Sequence, residues 1–150
     1  MLAAFRRVYG TGSLDDVANT IGGLVKQNID ADTFKNGCAL RLSYALQYGS
    51  NISVPQGGHQ WKTSGGADSR RYIFKVRDMI DFLTKTFGPP EVRTDRPAAS
   101  KAFAGKQGII AFEVDQWSDA SGHVTLWDGK HCADHCYFPI SKGAMLWLLP

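Results

Sequence analysis

An amide can be hydrolysed by a thiol at a helix start, an imidazole within its reach and a third group that orients the imidazole. Three residues of this chain have the types and positions for that chemistry. Cys38, in Asn36-Gly37-Cys38-Ala39-Leu40-Arg41-Leu42-Ser43-Tyr44-Ala45-Leu46, follows a turn dipeptide and opens a stretch where Cys38, Leu42, Ala45 and Leu46 share a helical stripe, which predicts a helix from about Cys38 to Tyr48. A helix N-terminus favours a thiolate over a thiol. His123 opens an apolar run directly after Gly122 and shares a strand face with Thr125 and Trp127. Asp134 lies eleven positions further on, across the Asp128-Gly129-Lys130 turn, where a hairpin would return it to the side of His123.

The other two cysteines, Cys132 and Cys136, stand four apart, a spacing compatible with a disulfide, which leaves Cys38 as the unpaired thiol. Such a bridge closes a very small loop and contributes at most about 2 kcal/mol by chain entropy, so its value lies in local bracing around Asp134. The run His131-Cys132-Ala133-Asp134-His135-Cys136 also admits a metal reading, since Cys and His are zinc ligands. It lacks a CxxC pair, a second knuckle and the His-x-Glu element of zinc deaminases, and no metal or cofactor is expected. Each member of the trio also has a plain reading: an inert buried thiol, a structural histidine, a turn carboxylate. Arg41, one turn into the Cys38 helix, and His59 and Trp61, in a Gly-rich stretch, are candidates for substrate contact, against readings as a surface helix charge and solvated loop residues.

Several elements must hold these residues in place. Ser13-Leu14-Asp15-Asp16 reads as a capped helix start, followed by Leu14, Val17, Ala18, Ile21, Leu24 and Val25 at helical spacing, with Gly22-Gly23 weakening or ending the helix. Residues 49–70 are rich in Gly, Ser, Pro and Asn and read as a long surface loop, a candidate wall for a substrate cleft. Tyr72–Phe74 reads as a short extended piece. Asp78 caps a helix carrying Met79, Ile80, Leu83 and Phe87, stopped by Gly88-Pro89-Pro90. The period then changes: Gly108–Val114, His123–Trp127 and Ala144–Leu149 read as strands, with a polar turn at Asp115–Gly122 between the first two. Helices first and antiparallel strands later make an α+β arrangement, and 150 residues fit one domain spanning 1–150.

Composition excludes several classes. No apolar run approaches the roughly 18 residues of a membrane span, so membrane insertion is not expected. The net charge of +3 is spread out, without the clustered basic stripe that phosphate neutralisation requires, so a nucleic-acid partner is not expected either. Slight basicity suits an anionic polymer such as a bacterial wall. No glycine-rich loop follows a strand in phosphate-binding form. Met1-Leu2-Ala3-Ala4-Phe5-Arg6-Arg7 lacks the order of a secretory signal, whereas a cysteine bridge suits an oxidising compartment. Delivery without a cleaved signal, or a trimmed leader, reconciles the two.

The segments around Cys38, the stretch Gly122-His123-Val124-Thr125-Leu126-Trp127-Asp128-Gly129 and the run Cys132-x-Asp134-x-Cys136 together resemble the type VI secretion amidase effectors of family four, papain-like cysteine amidases of the NlpC type. The stretch from Arg71-Tyr72-Ile73-Phe74 through Phe82 is similar as well, and the first dozen residues stand outside the resemblance. The resemblance implies a papain-like NlpC-type fold, with Cys38 as nucleophile at a helix N-terminus packed on a carboxy-terminal antiparallel sheet, His123 as general base and Asp134 as its orienter. It implies cleavage of the γ-D-glutamyl–meso-diaminopimelate bond of peptidoglycan. It further implies synthesis in the cytoplasm, delivery to the periplasm of target cells, and a cognate immunity protein that blocks the cleft. The rival expectations are an inactive wall-binding module, a papain-like peptidase of other specificity and a metal-dependent hydrolase.

Overall fold

Glycines cut the amino-terminal half into short helices. In the computed structural model of the chain, which describes residues 1–56, 60–95, 100–114 and 122–149, α1 spans Leu2–Tyr9, α2 Leu14–Ile21, α3 Gly23–Asp30 and α4 Cys38–Gly49. Ser13 caps α2 as expected: its Oγ accepts from the Asp16 N–H at 3.3 Å, and Asp15 and Asp16 face the positive end of the helix dipole. The apolar stripe expected to run on through Leu24 is broken, because Gly22 and Gly23 take φ of +67° and +60°. That turn restarts the helix in a new direction and leaves Leu24 51% exposed, while Val25 and Ile29 remain buried.

The residues divide into two compact units, Met1–Asp78 and Met79–Pro150. In the first, Val8, Val17, Ile21, Val25, Ile29, Phe34, Leu40, Tyr44 and Tyr72 form one apolar cluster. The expected loop over 49–70 contains a short strand, β1 (Thr63–Gly65), paired antiparallel with β2 (Arg71–Ile73). Gly and Ser dominate that strand, so neither alternation nor β-branching announced it. The hairpin is tied to α4: Ser43 Oγ donates to the Ile73 carbonyl and accepts from the Ile73 N–H, and Gln47 Nε2 donates to the Arg71 carbonyl. Helix α5 (Val76–Phe87) starts two residues before Asp78, which becomes an acid of its first turn.

The second unit is built on an antiparallel sheet of β3 (Val92–Asp95), β4 (Gly108–Glu113), β5 (Gly122–Trp127) and β6 (Gly143–Leu148), in the order β3-β6-β4-β5. The three expected strands are present within a residue or two of their predicted ends. β3 escaped notice because its charged, alternately exposed sequence Val-Arg-Thr-Asp is that of a polar edge strand. Along β4 and β5, Phe112 pairs with His123 and Ile110 with Thr125, so these four side chains share one sheet face. On that face Phe103, Ile110, Phe112, Trp127, Ala144 and Leu146 make the core of the unit, with Tyr137 and Phe138 packed against it.

The break between α2 and α3 depends on Gly23. A Cβ there would meet the Gly66 carbonyl carbon at 2.6 Å in a left-handed conformation that already disfavours side chains. Gly23→Ala is therefore expected to lower unfolding stability by about 2 kcal/mol or more in a urea titration. A shift below about 0.5 kcal/mol would show that the α2–α3 corner relaxes freely.

Candidate active site

The first unit places Cys38 as the opening residue of α4, with Gly37 as N-cap. Asn36 Oδ1 accepts the Cys38 N–H at 3.0 Å, and the Gly37 carbonyl accepts the first helical bond from the Arg41 N–H at 2.9 Å. This Asx turn fixes how the chain enters the helix. Glycine at position 37 makes room for α2, since a Cβ there would stand 2.8 Å from Leu14 Cδ2. No acid lies in the first turn of α4, so the positive end of its dipole is uncompensated where the thiol sits. Cys38 is 1% exposed and is the free cysteine of the chain.

The second unit brings His123 and Asp134 together. Asp128 begins the return, its Oδ1 accepting the N–H groups of Lys130 and His131, and Gly129 supplies the positive φ of 101°. The chain then runs back along β5, with Asp128 N–H donating to the His131 carbonyl and Ala133 N–H to the Leu126 carbonyl at 2.8 Å. Cys132 and Cys136 are joined in a disulfide with a Cα–Cα distance of 5.5 Å, and Asp134 sits at the middle of the closed loop. Their sulfurs are spent on each other, which removes the two thiolates from any zinc set. From this position the Asp134 carboxylate accepts from His123 Nε2, at 3.1 Å for Oδ1 and 3.0 Å for Oδ2.

The electrostatics follow from that geometry. Burial alone would push the Asp134 carboxyl up, but the hydrogen bond from His123, the imidazole's charge, the Thr125 hydroxyl and the His135 N–H hold it below the usual carboxylate range. Thr125 Oγ1 acts as a nearby dipole here, because it is buried without a partner in hydrogen-bond geometry. With Nε2–H committed to the carboxylate, the lone pair of a neutral imidazole resides on Nδ1. Tyr137 packs edge-on against the ring at 4.9 Å between centroids, restraining it from a second side.

The remaining sequence candidates have other surroundings. Arg41 is buried: its Nη2 donates to the Gly12 carbonyl at 2.9 Å and its guanidinium lies 5.1 Å over the Tyr9 ring, so it ties α4 to the α1–α2 connection. That places in the interior a residue read from the sequence as a candidate for substrate contact, with a surface helix charge as the alternative. Trp61 is half-buried beside Lys62, whose N–H donates to Asp78 Oδ2. His59 lies outside the described residues. Sequence reading missed Asn36 as the cap of Cys38, although the Asn-Gly dipeptide was its signal, and missed Tyr137, for which spacing carries none.

The first unit thus carries a free cysteine opening a helix and the second a buried imidazole–carboxylate pair, and comparison with known proteins shows the family. The family described as type VI secretion system (T6SS), amidase effector protein 4, matches residues 34–147, well over half of the chain. The chain belongs to this amidase effector family. The match begins just ahead of the Asn36-Gly37-Cys38 turn and ends in β6. No curated protein matches the chain. Among solved structures, the effector Tae4 from Salmonella typhimurium, in complex with the immunity protein Tai4 from Enterobacter cloacae, is 38% identical, with a TM-score of 0.90 over 99% of this chain and 96% of that one. The Enterobacter cloacae effector is 41% identical in its effector–immunity complex, with a TM-score of 0.89 over 99% and 96% of the two chains. In a structure of that effector alone the identity is 42% and the TM-score 0.87, over 99% and 94%. These matches include the first dozen residues, which had stood outside the sequence resemblance.

Two outcomes are expected of this amidase effector. Because the folded-state pKa of Asp134 is depressed, its ionisation contributes stability in full above the unfolded-state value of about 4, and the contribution is lost as pH falls through the lower folded-state value. Chemical denaturation from pH 6 downward should therefore show a steeper acid loss for the wild type than for Asp134→Asn, and parallel curves would remove Asp134 from the account. Replacing both bridge cysteines, Cys132→Ser with Cys136→Ser, should cost at most about 2 kcal/mol of stability yet lower amidase turnover about tenfold or more. Unchanged turnover would show that the loop holds Asp134 without its disulfide.

Proposed function

We propose that the chain hydrolyses the γ-D-glutamyl–meso-diaminopimelate bond of bacterial peptidoglycan, with both units acting as one catalytic domain. The observation that carries this reading is the buried His123–Asp134 pair, with the imidazole Nε2 held 3.0 Å from the carboxylate. Cys38 is the nucleophile, His123 the general base and then acid, and Asp134 the group that fixes the tautomer of His123. The amidase family and the resemblance of the cysteine and histidine segments to papain-like enzymes support the assignment.

In this mechanism the Cys38 thiolate, favoured by the N-terminus of α4, attacks the γ-glutamyl carbonyl, and the carbonyl oxygen takes the negative charge. Cys38's own N–H is a candidate oxyanion donor, but in the resting chain Asn36 Oδ1 accepts it. A charged oxygen accepts roughly twice as strongly as an amide carbonyl, so the oxyanion displaces Asn36 as it forms, and the N–H strengthens its bond in the transition state. His123 protonates the leaving amine of diaminopimelate; water, activated by the same imidazole, hydrolyses the thioester. Trp61 and His59 are proposed to contact the substrate.

The chain would act in the periplasm of rival cells after synthesis in the cytoplasm and delivery by the secretion system, and a cognate immunity protein would protect the producer. The Cys132–Cys136 disulfide suits an oxidising destination. Cys38→Ala and His123→Ala are each expected to lower the release of fragments from purified sacculi at least about 10³-fold with the fold intact, and Asp134→Ala to cause a smaller, clear loss. Mass spectrometry of the fragments should show new glutamyl carboxyl and diaminopimelate amino ends. Full activity of either of the first two variants, or cleavage at another bond, would overturn the reading.

A further inference from the structure

Within the first unit, a groove of about 510 Å³ runs between α3, the turn before α4 and the β1–β2 hairpin, a volume suited to a small peptide segment. The stacked rings of Phe34 and Phe74, 4.4 Å between centroids, line it together with the exposed Leu24. Lys35, Lys75 and Arg71 line it as well, and none of the three is ion-paired among the described residues. No acidic residue is among the described residues that line it. Arg71 is oriented in advance: its Nε donates to Thr63 Oγ1 at 2.9 Å and its Nη2 to the Thr63 carbonyl at 2.8 Å. Gly65 leaves its third nitrogen room, since a Cβ there would stand 3.2 Å from Nη1. Asn36 belongs both to this groove and to the turn that caps Cys38, so the groove adjoins the entry to the nucleophile helix.

We propose that this groove is the subsite for a free carboxylate flanking the scissile amide of an acidic peptide, with Arg71, Lys35 and Lys75 recognising the charge and Phe34 and Phe74 receiving the aliphatic chain beside it. The assignment rests on the amidase reading above. A glutamyl residue linked through its side chain keeps its α-carboxylate a short aliphatic stretch from the bond to be cut, and diaminopimelate carries a second carboxylate on the other side of that bond. An oriented guanidinium with two nearby ammonium groups and no competing acid selects such an anion over its neutral amide. Specificity for a wall peptide then comes from charge recognition near the nucleophile, which a Cys-His-Asp trio alone does not supply.

The test compares the tripeptide L-alanyl-γ-D-glutamyl-meso-diaminopimelate with its glutamyl α-amide and with the amide of the distal diaminopimelate carboxylate, measuring KM and kcat separately. For the wild type, one amide should raise KM about tenfold or more with little change in kcat, and the glutamyl amide is the one expected. Lys35→Gln with Lys75→Gln, both at exposed positions, should bring the acid and that amide to within about threefold of each other. Binding of the same three peptides to Cys38→Ala by calorimetry should follow the same order without turnover. If the wild type treats all three peptides alike, or if the lysine variant keeps the wild-type ratio, the subsite is overturned while the amidase reading stands. If the wild type cleaves none of them, that reading falls and the subsite with it. The wild-type comparison decides the question even where the lysine variant fails a thermal-unfolding check.

Discussion

A carboxylate buried to 2% of its side-chain surface is the constraint on which the second unit is organised. Removing such a charge from water costs several kcal/mol unless hydrogen bonds and an opposite charge replace the solvent. Around Asp134 the replacement is complete enough to hold the group ionised: His123 provides the hydrogen bond and the charge, and Thr125 and His135 add dipoles. The neighbouring features follow from keeping that arrangement in one geometry. The Asp128 turn reverses the chain, the return strand pairs with β5 near its end, the disulfide closes the loop, and Tyr137 bounds the imidazole. A disulfide across so short a loop contributes little chain entropy, so its effect is on the position of one side chain more than on the stability of the fold.

The first unit is organised around α4, which is buried on nearly every side from Cys38 to Gln47. A helix enclosed in this way cannot show a narrow apolar stripe, and its polar members must find partners inside. Ser43 and Gln47 do so on β2, and Arg41 on the Gly12 carbonyl and the Tyr9 ring. These bonds connect the helix that Cys38 opens to the hairpin whose residues line the cationic groove, so the elements that hold Cys38 and those that bear Arg71 are parts of one packed body. A Cβ at Gly23 would meet the Gly66 backbone, and one at Gly22 or Gly37 the side chain of Ala67 or Leu14; the positive φ of Gly22 and Gly23 ends α2 and restarts the chain as α3.

The residues proposed to carry the chemistry each have a local signal in the sequence: a turn dipeptide before Cys38, a strand start at His123, cysteines bracketing Asp134. The strands β4, β5 and β6 were legible for the same reason, as β-branched and apolar runs of strand length. Elements whose stability comes from distant partners were not. The β1 strand is made of Thr, Ser and Gly and exists because β2 pairs with it, and β3 is a polar edge strand held by β6. The α2–α3 break was visible as a glycine pair, but its direction, and hence the exposure of Leu24, was not.

By itself, then, the sequence determined the types of the candidate reactive groups, the secondary structure that presents them and the family to which the chain belongs, since all three are encoded in short segments with strong local preferences. Only the tertiary structure decided that Arg41 is interior, that His123 turns Nε2 to the Asp134 carboxylate, and that three cations meet around two stacked rings. Those outcomes depend on groups well separated along the chain meeting in space, and spacing by itself carries no record of which of their atoms will meet.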